Sequence, residues 1–222
     1  MPQTTPPPPI PPAAQPSSQP ALPPLSERLS RALGASTSSS DASSPGVVSS
    51  PGTSTGGAST PPPPPPGLFA YGTLTLDPVI SALLDRVPPS RSVRAPGWRA
   101  AGLPGLPYPG LVPQRSETPS AAGGGSGAPG RLYLDLGARD WAILDAFENP
   151  EYEIGLVTLE HGDKALAYTW PDVAESEGGQ GKALGTTWTI DWAVEDKQGM
   201  ALYLERCVGW RQAWEEEAAQ SG

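Results

Sequence analysis

The chain has 222 residues, of which 31 are Pro and 26 are Gly, near the composition of low-complexity sequence. Seven Trp and six Tyr do not suit a disordered chain, so the average hides two different objects. The balance of 14 basic against 23 acidic residues, net −9, argues against nucleic acid or anionic membrane as the main partner. No apolar run approaches the roughly 18 residues that a membrane span needs. One Cys and one His exclude a disulfide framework within the chain and a His/Cys zinc cage.

Residues Met1 to Gly67 contain no aromatic residue, 19 of the 31 prolines and only Glu27, Arg28, Arg31 and Asp41 as charges. Such a segment cannot bury enough apolar area to offset the entropy of ordering it, so a disordered tail is expected over residues 1–67. Pro6–Pro9 and Pro61–Pro66 favour polyproline II, and Ser36 to Thr60 reads as flexible linker. Three uses fit: a plain spacer, a ligand for an SH3- or WW-type groove, or an organelle transit segment. In each case, removing residues 1–67 is expected to leave the chemistry of the rest unchanged. The lone Cys fits a reducing compartment, so the cytoplasm is the expected location and organelle import the alternative.

From Leu68 to Gly222 the sequence reads as one folded domain, which holds every Trp, Tyr and Phe and the whole net charge. Leu68 to Leu74 is a short apolar run and predicts a buried strand. Asp77-Pro78 predicts an N-cap with proline at the first helical position, Val79, Ile80, Leu83 and Leu84 supply the apolar face, and Pro88-Pro89 stops the helix. Ser92 to Leu103 predicts one or two strands around Trp98, and Tyr108 to Pro113 another extended piece. Ser116 to Pro129 reads as a Gly/Ser-rich insertion. Arg131 to Leu136 alternates as a half-buried strand does.

Ala138 to Phe147 predicts a helix with Trp141, Leu144 and Phe147 on one face. Tyr152 to Glu160 and Lys164 to Trp170 predict a hairpin that turns at His161-Gly162-Asp163. Asp172 to Gly185 reads as an acidic, Gly-rich loop. A last amphipathic helix is expected from about Ile190, with Trp192, Met200, Tyr203, Cys207, Trp210 and Trp214 on its apolar side and Gly199 and Gly209 as interruption points. This mixture predicts an α+β domain.

No GxSxG, CxxC, HExxH or GxxxxGK[ST] motif occurs. Cys207 reads as a buried structural thiol and His161 as a solvated turn residue, which leaves carboxylates and backbone amides for chemistry. Two places stand out. Phe69 to Leu74 is a strand ending in Gly-Thr before a helix. That arrangement exposes N–H groups able to hold a carboxylate or an oxyanion, or it merely turns the chain. In Leu144 to Tyr152, Asp145 and Glu148 share a helix face. Glu148 lies in the final turn, where the helix dipole and its acidic neighbours oppose a negative charge, so it is a general-base candidate or part of a solvated helix end.

Phe69-Ala70-Tyr71-Gly72-Thr73-Leu74 resembles the F-V-Y-G-T-L opening of the gamma-glutamylcyclotransferase-like family, which includes the plant avirulence-induced-gene proteins. Tyr108 to Pro113 resembles the family's Y-P-x-I/L-x-P strand. Leu144 to Glu153 resembles its L-D-x-F-E-x-x-E-Y-E segment. The resemblance runs from Leu68 to the end and covers none of the tail. It implies a small mixed β-barrel with flanking helices. It implies a substrate-holding loop of Tyr71, Gly72, Thr73, Leu74, Thr75 and Leu76, and Glu148 as acid/base. The reaction it implies is closure of a γ-glutamyl group onto its own α-amine, releasing 5-oxoproline and an amine or amino acid. No metal or other cofactor is expected, and a small γ-glutamyl compound is the expected partner.

That reaction suits the residue inventory. The nucleophile belongs to the substrate, so no Ser or Cys is needed, and closure is intramolecular. Tyr152 and Tyr108 are further hydroxyl candidates, although both read more readily as core aromatics. Ile154 and Gly155 stand where the family often carries two arginines, which implies a different γ-glutamyl substrate or little activity. The alternative is a catalytically silent small-molecule-binding protein of the same fold, whose proline-rich tail docks a partner.

Overall fold

The computed structural model describes residues 23–34, 66–103, 106, 108–114, 127–148, 150–171, 190 and 195–221. The polyproline runs up to Pro65, the Ser36–Thr60 linker, most of the Ser116–Pro129 insertion, the Asp172–Gly185 loop and Trp192 lie outside them. A central sheet has the order β2-β5-β1-β7-β6. It is built from β1 (Leu68–Ala70), β2 (Ser90–Ala95), β5 (Ala128–Tyr133), β6 (Glu153–Thr158) and β7 (Lys164–Thr169). β1 pairs parallel with β7 and antiparallel with β5, and the other pairs are antiparallel. The hairpin of β3 (Trp98–Gly102) and β4 (Pro109–Pro113) forms a second, two-stranded sheet.

Alternation along the strands sorts the apolar side chains onto two faces. Leu68, Ala70, Tyr133, Leu166 and Tyr168 face a cluster that also takes residues from four helices. These are α1 (Leu25–Gly34), α2 (Asp77–Leu84), α3 (Ala138–Phe147) and α4 (Lys197–Ser221). Phe69, Leu132, Val157, Ala165 and Ala167 face the opposite cluster, where Leu111 and Trp98 of the β3–β4 hairpin cover them. β1 is buried on both faces, as its unbroken apolar run requires. A Cβ at Gly130 would lie 2.4 Å from the Ala70 carbonyl oxygen and 2.5 Å from the Phe69 ring, so only glycine lets β5 approach β1 there.

The α+β class is as expected, but among the described residues the sheet does not close into a barrel. Edge strands β2 and β6 are unpaired with each other. Both carry charge along the edge, Arg91 and Arg94 on one and Glu153 on the other, which opposes edge pairing. Even so, the sheet curls until the Glu160 N–H donates to the Arg94 carbonyl oxygen at 3.0 Å, and Arg91 pairs with Asp163.

Several elements differ from expectation in their bounds. The first strand stops at Ala70, because Gly72 takes φ 69° and the chain winds into a 3-10 turn over Gly72–Thr75. Leu76, not Asp77, is the N-cap of α2: its carbonyl accepts the N–H groups of Val79 and Ile80. Asp77 is therefore the first helical residue, where its charge favours the helix N-terminus and pairs with Arg131. α3 spans the expected residues and ends at Glu148. α4 begins at Lys197, with Asp196 Oδ1 accepting the Gly199 N–H at 2.8 Å, and runs through Gly199 and Gly209 without a break.

The largest correction concerns the tail. Residues Leu25–Gly34 form a helix, α1, that packs on β6. Leu25, Leu29 and Ala32 recur at i, i+4 and i+7 and join the helix-side core. A wholly disordered segment 1–67 is therefore not what the chain forms.

Candidate active site

The 3-10 turn after β1 is held from four sides. The Gly72 carbonyl accepts from Thr75 Oγ1 at 2.6 Å, and the Thr73 carbonyl from the Leu76 N–H at 3.1 Å. The Leu74 carbonyl accepts from Tyr133 Oη at 2.9 Å, and the Thr75 carbonyl from Arg131 Nη1 at 3.1 Å. Four consecutive acceptors are thus spoken for. The first amides of a 3-10 turn have no acceptor inside it, so the N–H groups of Gly72 and Thr73 present at its N-terminal end, and the i→i−3 pattern takes up donors from Leu74 onward.

Of the expected loop side chains, Leu74 is buried and Leu76 is half-buried in the helix-side core. Tyr71 ties strands together: its hydroxyl donates to the Tyr168 carbonyl at 2.7 Å and accepts from the Leu111 N–H at 3.0 Å. Thr73 Oγ1 accepts from the Tyr203 hydroxyl at 3.2 Å, which connects α4 to the turn.

Glu148 caps α3, and its N–H donates to the Leu144 carbonyl at 3.0 Å. The residue is half-buried. Loss of hydration, then the neighbouring Asp145 charge, pushes the Glu148 carboxyl up from 4.5 to about 8. Its charge is felt by Tyr71, Tyr152, Tyr168 and Tyr203, each of which titrates above the ordinary tyrosine range, chiefly through burial. Four phenols, from the β1 loop, the segment before β6, β7 and α4, therefore lie within electrostatic reach of one carboxyl. Of these, Tyr71 precedes the 3-10 turn and Tyr203 bonds Thr73 within it.

Asp145 is paired. Arg28 Nη1 of α1 lies 2.6 Å from Asp145 Oδ1, and Arg28 Nη2 donates to the Tyr152 carbonyl at 3.1 Å. The Tyr168 hydroxyl donates to Asp145 Oδ1 at 3.3 Å. Burial still leaves the Asp145 carboxyl above its ordinary value, with Arg28 and Tyr168 opposing that rise.

The Tyr152 hydroxyl donates to the Pro109 carbonyl at 2.5 Å, and its ring packs edge-on to Trp170 and tilted to Tyr108, the core role expected of it. Ile154 half-buries against the helix-side core, and Gly155 lies against Thr169. Cys207 is buried, and burial pushes its thiol up to about 12. The His161 imidazole is 68% exposed in the β6–β7 turn. Among the described residues no group of three or more His, Cys, Asp or Glu is placed to hold a metal ion, and no helix is long and apolar enough to cross a membrane.

Three participants escaped the sequence reading. Tyr168 and Tyr203 passed as apolar strand and helix positions. Arg28 lay in what read as tail, although three of the tail's four charges and three of its four leucines fall within residues 25–34. That clustering is the signal that marks α1.

A half-buried carboxyl raised in pKa and a 3-10 turn with pinned carbonyls thus stand on one α+β scaffold. The chain belongs to the gamma-glutamyl cyclotransferase, AIG2-like family, whose model matches residues 68–189. It is similar to AIG2-like protein D of Arabidopsis thaliana, 28% identical over 109 residues, covering 46% of this chain and 66% of that protein. It is likewise similar to AIG2-like protein A of the same plant, 28% identical over 115 residues, covering 50% of this chain and 64% of the relative. The matched stretches span just under two thirds of these relatives' length. A solution structure of At5g39720.1 from Arabidopsis thaliana aligns with a TM-score of 0.43 and 24% identity, over 60% of this chain and 84% of that one. Helices α1 and α4 lie outside the family match.

Proposed function

We propose that the domain is a γ-glutamylcyclotransferase that works through Glu148 and the first amides of the Gly72–Thr75 turn. The observation that carries this reading is the half-buried Glu148 carboxyl, raised to about 8, whose charge reaches Tyr71 at the start of that turn and Tyr203, which bonds Thr73 within it. An α-amino group has its ordinary pKa at about 7.7–8.0, so a proton passes between it and Glu148 at little cost.

In the proposed reaction the substrate's α-ammonium gives a proton to ionised Glu148. The freed amine attacks the γ-carbonyl carbon, and a C–N bond closes a five-membered ring. Charge builds on the carbonyl oxygen, where pre-set N–H donors are worth most. Glu148 then protonates the leaving nitrogen, the original C–N bond breaks, and the second proton of the ring nitrogen passes to the released amine. The products are 5-oxoproline and an amine, with no water consumed and Glu148 returned to its starting state. Attack within one molecule means that holding the α-amine against the γ-carbonyl supplies much of the rate. The turn amides bind the α-carboxylate, the oxyanion or both.

The pinned carbonyls of residues 72–75 support this role, because a turn that need not rearrange can stabilise charge as it develops. The reading is tested by assaying 5-oxoproline from a panel of γ-glutamyl amino acids and amines. Release by the wild type that Glu148→Gln suppresses is the expected result.

A further inference from the structure

Helix α1 is outside the family match, yet it delivers a guanidinium to the acidic end of α3. The Arg28 and Asp145 side chains are only 10% and 16% exposed. Arg28 also anchors on the Tyr152 carbonyl, so its position is set by two acceptors rather than one. The apolar residues of α1, Leu25, Leu29 and Ala32, seat it on the core that α3 and β6 share.

Asp145 and Glu148 are three residues apart at one helix end, both half-buried, and the Asp145 charge opposes ionisation of Glu148. The groups facing them come from every element around: Arg28 from α1, Tyr168 from β7, Tyr71 from the β1 loop, Tyr152 from the segment before β6 and Tyr203 from α4. Arg28 is the cation among these groups, and it contacts Asp145. A tyrosine hydroxyl also donates to Asp145. The pair is therefore asymmetric because of a residue from the tail.

We infer that Arg28 is a positioning residue of the site: it holds Asp145 as the anion of the carboxyl pair and so leaves the exchangeable proton on Glu148. Without Arg28 the two carboxyls compete for one proton, and neither is a defined acid or base. The ten residues of α1 then belong to the catalytic unit, contrary to the expectation that residues 1–67 are dispensable. The catalytic consequence rests on the cyclotransferase reading, whereas the proton assignment does not.

The test follows both carboxyls by carboxyl-13C NMR across pH in the full chain, which needs no turnover. In wild type, Asp145 titrates well before Glu148. In Arg28→Met, which keeps the aliphatic stem, the Asp145 midpoint moves up towards that of Glu148, and Arg28→Lys restores the order at least in part. In Asp145→Asn, the Glu148 midpoint moves down, since the neighbouring anion is gone and Arg28 remains. An unmoved Asp145 midpoint in folded Arg28→Met, or an unmoved Glu148 midpoint in folded Asp145→Asn, overturns the inference. If these midpoints move as expected but the wild type makes no 5-oxoproline, the proposed activity fails and the proton assignment stands. If 5-oxoproline is made and the midpoints do not move, the reverse holds.

Discussion

The Tyr203 hydroxyl donates to Thr73 Oγ1 across 3.2 Å, so a helix near the end of the chain holds the turn that follows the first strand. Tyr203 is buried and is also within the field of Glu148. One side chain of α4 thus bonds the turn and senses Glu148. Tyr203→Phe keeps the ring packing and removes the bond. The variant is expected to lose about 0.5–1.5 kcal/mol of stability, as for a typical buried hydrogen bond, and to bind substrate less well. Urea melts and the KM for a γ-glutamyl substrate check both, and a variant indistinguishable in both would show that the tie is idle.

The Glu148 carboxyl makes stability depend on pH. Its folded value is raised from 4.5 to about 8. Between those values the folded chain holds a proton that the unfolded chain has released, so stability falls as pH rises through that window. Glu148→Gln cannot titrate there. Denaturation of both proteins from pH 5 to 8.5 should show the wild type losing about 1–3 kcal/mol relative to the variant. Parallel curves would contradict the burial of that charge. By the same titration, the wild-type kcat/KM should climb towards alkaline pH with a midpoint near 8.

Gly130 tests the route by which the core sets the site. An added methyl meets the Ala70 carbonyl oxygen, which cannot swing aside as a side chain can. Gly130→Ala should cost about 1–3 kcal/mol, as overpacking does, and should displace β1 and the turn that follows it. Thermal melts with a parallel kcat measurement read both, and an unchanged kcat would mean that the turn is positioned independently of β5.

Cys207 should be silent. It is buried and its thiol is pushed up to about 12, so the thiolate is scarce at neutral pH. Alkylation by iodoacetamide should be slow in the native protein and fast in denaturant, with no loss of activity in the native sample. Rapid native labelling would place the thiol outside the core.

Much of the scaffold was legible because it follows local rules. Ala138–Phe147 carries its apolar residues at helical spacing, and Pro150 bars continuation, so α3 lies where the sequence placed it. The β6–β7 hairpin follows from alternation around His161-Gly162-Asp163, with Gly162 at φ 84°. Bounds failed where a cap rather than a pattern decides, as at Leu76 and Asp196, since caps depend on which carbonyl or carboxylate the chain happens to present. Sheet closure was not legible, because strand order is a property of non-local pairing. The candidate carboxyl was visible in the Leu144–Tyr152 segment, but its environment was not. Tyr71, Tyr168 and Tyr203 are far apart in the chain and meet only after folding. Arg28 was missed for a different reason: composition averaged over 67 residues hides a ten-residue amphipathic helix.

Parallel assays of wild type and Glu148→Gln for 5-oxoproline release from γ-glutamyl amino acids and amines test the proposed chemistry most directly. Loss of a general base should lower the rate by roughly 10²–10⁴-fold while the variant remains folded. Equal rates in the two proteins, or no 5-oxoproline from any compound of the panel, would contradict it and favour a silent binding protein of the same fold.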